Sequence, residues 1–73
     1  MTVEVHVEIT ANVWQVAARV GDVVAEGAEL AILESMKMEI PVESPCAGTV
    51  TAVHIAPEAQ VKEGDLAFEI DPA

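Results

Sequence analysis

One lysine near the middle of the chain has neighbours that folding alone does not explain. Lys37 is one of only three Lys or Arg residues among 73, and it lies between two methionines in the stretch Glu34-Ser35-Met36-Lys37-Met38-Glu39-Ile40. A lysine amine serves either as a nucleophile or as the acceptor of an acyl group. A catalytic lysine is normally activated by burial or by neighbouring cations, whereas Glu34 and Glu39 stabilise a charged amine. The pattern therefore does not favour a catalytic amine.

The other groups that could support catalysis or bind a metal are isolated in the sequence. His6 falls on the polar side of an alternating segment, and His54 stands alone among residues 51–55. Neither has a cysteine or a second histidine at a metal-ligand spacing. Cys46 is the single cysteine, so it cannot form an internal disulfide, and we expect it to pack as a small hydrophobe. The sequence thus predicts neither an enzyme nor a metal site.

Composition limits the class of fold and the kinds of partner. Hydrophobic residues make up 52% of the chain and aromatic residues only 3%, a mixture that suits thin sheets. A formal charge of −10 is repelled by nucleic-acid phosphates and by anionic lipid surfaces. No signal-like segment or run of membrane-spanning length is present. We expect residues 1–73 to form one domain, cytoplasmic and monomeric in isolation, that binds neither nucleic acid nor membranes.

Polar and apolar residues alternate along several segments of the chain. Residues 3–9, 38–43 and 66–71 alternate with a period of two, which predicts half-buried strands, and residues 30–33 form a more deeply buried run. Glycine-containing turns punctuate the chain at short intervals, as a meander of short strands requires. Trp14, the only tryptophan, is expected to pack between Val13 and Val16. The predicted class is all-β.

The chain also contains an internal repeat. Residues 24–32 (VAEGAELAI) resemble residues 61–68 (VKEGDLAF), with an offset of 37 residues before a one-residue gap and 36 after it. Val13 and Val16 match Val50 and Val53 at the first offset. Repeats this short cannot each bury an apolar face alone, so we expect the halves to pack around an approximate two-fold axis.

Lys37 lies at the junction between the two halves, where the pattern is compatible with two local structures. One is a tight hairpin with Met36-Lys37 at its tip. Two-residue hairpin turns need positive φ and favour sequences such as Asn-Gly, so a Met-Lys turn would have been selected for a reason other than folding. The other is a continuous strand over residues 35–40 with Lys37 facing solvent. The periodicity leaves both alternatives open.

The residues around Lys37 resemble the attachment motif of biotinyl domains, usually Glu-Ala-Met-Lys-Met. The wider frame is similar too, with Val-x-Glu-Gly before and after the motif and Pro45-Cys46-Ala47-Gly48-Thr49-Val50 between them. The resemblance to the biotinyl/lipoyl attachment family covers nearly the whole chain. It implies a flattened barrel-sandwich of two four-stranded antiparallel sheets, with Lys37 on an exposed hairpin. Ser35 replaces the usual alanine, and residues 9–12 (ITAN) replace a Pro-Met-Pro-Gly-like stretch.

In this family, a biotin protein ligase joins biotin to the motif lysine through an amide. The resemblance therefore implies that Lys37 is the covalent biotin site, and that the domain carries carboxybiotin between a biotin carboxylase and a carboxyltransferase without chemistry of its own. It also implies that Gly27 and Gly64 hold equivalent turns. The residues expected to be recognised by the ligase are Glu34, Ser35, Met36, Met38 and Glu39. The methionines are equally compatible with apolar packing at the hairpin, and the glutamates with a solvated face.

Two other functions remain compatible with the sequence. Lipoate on the same lysine would make the domain an acyl or aminomethyl carrier, but lipoyl domains usually have Asp before the lysine and a small residue after it. Met36 and Met38 therefore favour biotin. The second alternative is an unmodified acidic binding domain. The chain has no Ala/Pro-rich linker and no fused carboxylase domain, so it resembles stand-alone attachment proteins, and its acceptor substrate is not identified.

Overall fold

The computed structural model describes residues 2–73, and Met1 of the predicted domain lies outside the described residues. The described residues form eight strands and no helix, and every pair of neighbouring strands is antiparallel. The all-β prediction is confirmed. The strands are β1 (Val3–His6), β2 (Ala11–Val16), β3 (Val23–Val24), β4 (Glu29–Ser35), β5 (Met38–Glu43), β6 (Gly48–Val53), β7 (Gln60–Val61) and β8 (Leu66–Pro72).

The strands form two four-stranded sheets, as the family resemblance implied. Sheet A has the order β1-β8-β6-β3, and sheet B has the order β5-β4-β2-β7. Both sheets contribute alternate apolar side chains to one core, which stabilises the sandwich because these side chains leave water on folding. The most deeply buried large side chains are Phe68, Leu30, Leu33, Ile70, Val7, Val13 and Val50.

The predicted strands agree with the structure except at the end of β1. Residues 38–43 and 66–71 are strands, and the run 30–33 is largely buried within β4. The alternation that starts at Val3 continues to Ile9, but the strand stops at His6. The chain leaves sheet A there to reach β2 in sheet B. Val7 stays buried, its N–H donating to the Asp65 carbonyl at 2.8 Å, whereas Ile9 is exposed.

The internal repeat is present in the topology of both sheets. The four positions of sheet A, β1-β8-β6-β3, correspond in order to the four positions of sheet B, β5-β4-β2-β7, so each strand is matched by the strand four places away in the chain order. Turn hydrogen bonds repeat in the same way: the Ala28 N–H donates to the Ala25 carbonyl, and the Asp65 N–H, 37 residues later, donates to the Lys62 carbonyl. The prediction of two equivalent halves is confirmed.

The one-residue gap predicted within the repeat is wrong. β4 and β8 begin 37 residues apart, and their burial patterns agree at every position except the first. Leu30 therefore corresponds to Ala67, not to Leu66, and the carbonyl groups of Leu30 and Ala67 accept equivalent hydrogen bonds from Ala17 and His54. The alignment of Leu30 with Leu66 is wrong because equivalent positions of the two halves share their burial and not their residue type.

Candidate functional site

β4 and β5 are joined by a two-residue turn formed by Met36 and Lys37. Ser35 pairs with Met38 across the turn, and both turn residues have positive φ, 51° for Met36 and 65° for Lys37. Positive φ at both central positions defines a type I′ hairpin turn, whose twist matches that of the flanking strands. The hairpin prediction is confirmed, and the alternative of a continuous strand is wrong.

The residue types at this turn are unfavourable for its backbone. The left-handed conformation costs an L-residue roughly 1–2 kcal/mol because Cβ approaches the following carbonyl oxygen, and glycine avoids that cost. Elsewhere in the described residues, glycine occupies three positions with positive φ, including Gly27 and Gly64 with φ of 84° and 92°, and Glu58 with φ of 70° occupies a fourth. Among residues 2–73, only the hairpin has two consecutive non-glycine residues of this kind. Strain that is kept where glycine would remove it is typical of functional sites.

The side chains of the turn extend away from the protein. Met36 is 92% exposed and Met38 is 60% exposed, and Lys37 is also exposed. Within residues 2–73, no hydrogen bond or ion pair holds the Lys37 amine. The exposure of the two methionines excludes the alternative in which they pack at the hairpin in this structure. The Lys37 amine is therefore accessible from solvent.

The base of the hairpin, in contrast, is anchored in the core. Leu33 of β4 is 1% exposed, and Ile40, which pairs with it from β5, packs against the core. Only two residue pairs lie between this anchor and the turn, and they are Glu34–Glu39 and Ser35–Met38. Glu34 and Glu39 are exposed and Ser35 is half-buried. The hairpin therefore holds Lys37 on a short, rigid support.

The two histidines lie on sheet A and not at the hairpin. His6 Nδ1 lies 3.0 Å from the Gly64 carbonyl oxygen, and His6 Nε2 lies 3.2 Å from Glu4 Oε1. The Gly64 carbonyl and then the Glu4 carboxylate raise the pKa of His6 above 6.5, because both groups accept hydrogen bonds from the imidazolium. His54 Nε2 lies 2.7 Å from Glu69 Oε2. No cluster of three or more potential metal ligands occurs within residues 2–73.

A cleft that the sequence did not predict lies between the outer strands β1 and β5. Its volume is about 330 Å³, and carboxylates of Glu4, Glu8 and Glu43 line it together with His6. No periodicity in the sequence could reveal it, since it is formed by two strands that belong to different sheets. Cys46 is partly buried against the core, as expected, and its carbonyl accepts a hydrogen bond from Ser44 Oγ.

Comparison with known proteins identifies the family of the chain. A family model described as "Biotin-requiring enzyme", for biotin/lipoyl domains, matches residues 3–70. This chain belongs to the biotin/lipoyl attachment family. The resemblance drawn from the motif is thereby confirmed. In the part of the chain that the structure describes, no helix is long and apolar enough to cross a membrane.

Relatives of similar length share about two fifths of their residues with the chain. A biotin/lipoyl attachment protein of Bacillus subtilis (strain 168) is 41% identical over 66 residues, which cover 90% of each chain. The biotinylated protein TB7.3 homolog of Mycobacterium leprae (strain TN) is 42% identical over 66 residues, covering 90% of this chain and 93% of the relative. Both names describe attachment or biotinylation, which agrees with the prediction of a biotin carrier domain.

The fold also occurs inside a much larger protein. The crystal structure of Kluyveromyces lactis urea carboxylase matches with a TM-score of 0.91 and 31% identity over 97% of this chain. The match spans only 6% of the urea carboxylase chain. This chain therefore corresponds to one small region of that protein, and the match confirms the sandwich of two four-stranded sheets.

Proposed function

We propose that the protein is a biotin carrier and that Lys37 is its covalent attachment site. The observation that supports this most is the turn itself: an exposed lysine, flanked by exposed methionines, occupies a strained two-residue turn at the motif position of a biotin/lipoyl domain. A carrier needs one amine that an enzyme can reach while the rest of the domain stays folded. The short support anchored at Leu33 meets both requirements.

A biotin protein ligase would join the Lys37 Nζ to the biotin carboxyl group through an amide. The amine attacks the activated carboxyl carbon, loses a proton, and the activating group departs. The turn presents Met36 and Met38 to the ligase, and the carboxylates of Glu34 and Glu39 offer negative charge beside them, with Ser35 at the base of the turn. Once attached, biotin supplies a ring nitrogen that takes up carboxylate at a biotin carboxylase and releases it to an acceptor at a carboxyltransferase.

The same geometry would suit lipoate, and the family includes both cofactors in its name. The methionines on both sides of Lys37 favour biotin, and the Mycobacterium leprae relative is named as a biotinylated protein. We also propose that residues 1–73 act as one domain, monomeric in isolation, in the cytoplasm. An unmodified acidic binding domain would not account for the strained Met36-Lys37 turn.

Mass spectrometry of the protein from its native host tests the proposal, together with labelling by the ligase of that host. We expect one biotinyl group, mapped to Lys37. The Lys37→Arg variant should not be labelled, because the guanidinium stays protonated and is a poor nucleophile, and its free energy of unfolding should change by no more than about 0.5 kcal/mol. Lys62→Arg is the matched control and should be labelled like the wild type. Label on Lys62, or lipoate alone, would contradict the proposal.

A further inference from the structure

Three apolar residues lie in a row across the outer face of sheet B. Ile32 of β4 pairs with Pro41 of β5, and Trp14 lies at a β-bulge of β2 beside the Gln15–Ile32 pair. We call Trp14, Ile32 and Pro41 the sheet B strip. Trp14 is 52% exposed, so the expectation that it packs between Val13 and Val16 is wrong. Trp14 follows the buried Val13, so the alternation of a strand places it on the outer face, and the bulge leaves Gln15 exposed beside it.

The internal repeat shows that the fold does not need this strip. The positions equivalent to Trp14, Ile32 and Pro41 on sheet A, related by the offset of 37 residues, are occupied by Thr51, Glu69 and Glu4. Thr51 even lies at the same β-bulge, between Val50 and Ala52. Polar residues therefore occupy the same backbone positions in sheet A, so the fold does not require apolar residues there. An exposed tryptophan with apolar neighbours, on one of two equivalent faces, indicates a surface that is covered by a partner.

Glutamates lie on both sides of the strip along strands β4 and β5. Glu34 pairs directly with Glu39 on the side of the turn, and Glu29 pairs directly with Glu43 on the other side. Like charges directly opposite each other destabilise a sheet. No lysine, arginine or histidine within residues 2–73 forms an ion pair with any of the four.

The paired carboxylates on sheet A, in contrast, have hydrogen-bond partners within the described residues. Glu4 and Glu69 also pair with each other across strands β1 and β8. Each of them is within hydrogen-bond distance of a histidine, Glu4 of His6 and Glu69 of His54. The carboxylates of the Glu34–Glu39 and Glu29–Glu43 pairs have no such partner among residues 2–73, so cations of another molecule would complement them.

We infer that the outer face of sheet B is a docking surface for the biotin carboxylase that loads the arm, through an apolar patch on that enzyme with lysine and arginine around it. This inference rests on the proposed function. An enzyme that binds ATP and bicarbonate must attract anions, so the entrance to its active site is expected to be basic. The Ile32–Pro41 pair lies four residues from the turn on each strand, about 13 Å along the sheet. A partner seated on the strip is therefore near enough to receive the arm of Lys37.

Binding of the purified biotin carboxylase from the same cell to the full chain, with and without biotin, tests the inference. Trp14→Thr gives sheet B the residue that sheet A carries, and we expect it to raise Kd at least tenfold, as loss of a central aromatic anchor does. Thr51→Val, at the equivalent position of sheet A, is the matched control and should leave Kd within about twofold of the wild type. Glu29→Gln combined with Glu43→Gln should weaken binding and reduce its dependence on salt.

Labelling by the ligase separates this inference from the proposed function. Trp14→Thr should be biotinylated on Lys37 at the wild-type rate, since the turn is intact. If the wild type is biotinylated but does not bind the carboxylase, or if Trp14→Thr binds as the wild type does, the docking surface is refuted. Loss of labelling without loss of carboxylase binding would assign the strip to the ligase and would also refute it. If Trp14→Thr fails to fold, the glutamate variants give the same decision, because their side chains are exposed.

Discussion

Turns with positive φ in this chain carry two different kinds of residue. At Gly27 and Gly64, turns with positive φ carry the residue that adopts this conformation without strain. At Met36 and Lys37, two consecutive positions with positive φ carry side chains that do not. The Gly27 and Gly64 turns are equivalent and serve folding in each half. The Met36-Lys37 turn serves something that glycine could not supply, which is a pair of side chains at a fixed and exposed place.

The tip of the hairpin and its base differ in how deeply their side chains are buried. Met36 is 92% exposed and Met38 is 60% exposed in the folded protein, whereas Leu33 and Ile40 anchor the same two strands in the core. Stability should therefore depend on the base, and attachment on the tip. Substitutions that act on only one of these places test whether stability and attachment are separate.

The largest effect is expected at the base of the hairpin. Leu33→Ala removes a side chain that is 1% exposed, and it should lower the free energy of unfolding by about 2–5 kcal/mol through lost burial and a residual cavity. Labelling of Lys37 by the ligase should fall only to the extent that the protein unfolds. Urea unfolding followed by Trp14 fluorescence, with ligase labelling at the same temperatures, measures both quantities.

The equivalent position in the other half provides the control for Leu33. Ile70 is fully buried at the corresponding point of β8, so Ile70→Ala should cost a similar free energy although it lies far from Lys37 in sequence. A folded Leu33→Ala protein that the ligase no longer labels would show that the base of the hairpin contributes to recognition directly, and the separation of base from tip would fail.

A smaller effect of opposite sign is expected at the tip. Replacing Met36-Lys37 with Asn-Gly supplies the residues that a type I′ turn prefers, so it should raise the free energy of unfolding by roughly 1 kcal/mol. The same change removes the acceptor amine and abolishes labelling. Thermal unfolding of this double variant and of the wild type measures the gain.

Gly27→Ala is the reverse control, because it places a Cβ on a residue with φ of 84° where the surrounding space is open. It should destabilise the protein by about 1 kcal/mol through backbone strain alone. If Asn-Gly at the tip instead destabilised the protein, the Met36 and Lys37 side chains would contribute to folding, and the comparison between the two kinds of turn would be wrong.

Strong local patterns in the sequence predicted much of the fold. Residues 38–43 and 66–71 alternate cleanly, and they are strands because each covers one face of the core. The periodicity left a hairpin and a continuous strand open around Lys37, and only the resemblance to the attachment motif implied the hairpin. The two halves could be recognised from their shared Val-x-Glu-Gly turns, where Gly27 and Gly64 have the same backbone role.

Other features depend on contacts that no local pattern records. β3 and β7 have two residues each, too few to show a period, and they exist only because β6 and β2 pair with them. The exposure of Gln15 and the partial burial of Val16 follow from a β-bulge, and a bulge is a relation between two strands. The cleft between β1 and β5 likewise requires both sheets to be in place.

The smallest expected effect is a pH-dependent contribution to the free energy of unfolding at the Gly64 turn, which the Gly27 turn lacks. His6 contacts the Gly64 carbonyl, whereas the equivalent position near Gly27 is Glu43, whose side chain makes no such bond. The pKa of His6 is raised in the folded protein, first by the Gly64 carbonyl and then by Glu4. A raised pKa means that the folded state binds the proton more tightly than the unfolded chain does. The resulting stabilisation is fully present below pH 6.5 and is lost as the pH rises through the higher pKa of the folded state.

His6→Gln tests this, because glutamine keeps a hydrogen-bond donor without the titratable charge. The difference in free energy of unfolding between wild type and His6→Gln should favour the wild type most in mildly acidic buffer and shrink as the pH rises. Glu4→Gln keeps an acceptor oxygen but removes the negative charge that favours the imidazolium, so the pH dependence should become shallower in that background. Glu8 and Glu43, which line the same cleft, remain in every variant and do not enter the difference. A difference that is constant with pH would mean that the Gly64 turn, like the Gly27 turn, is held by its backbone alone.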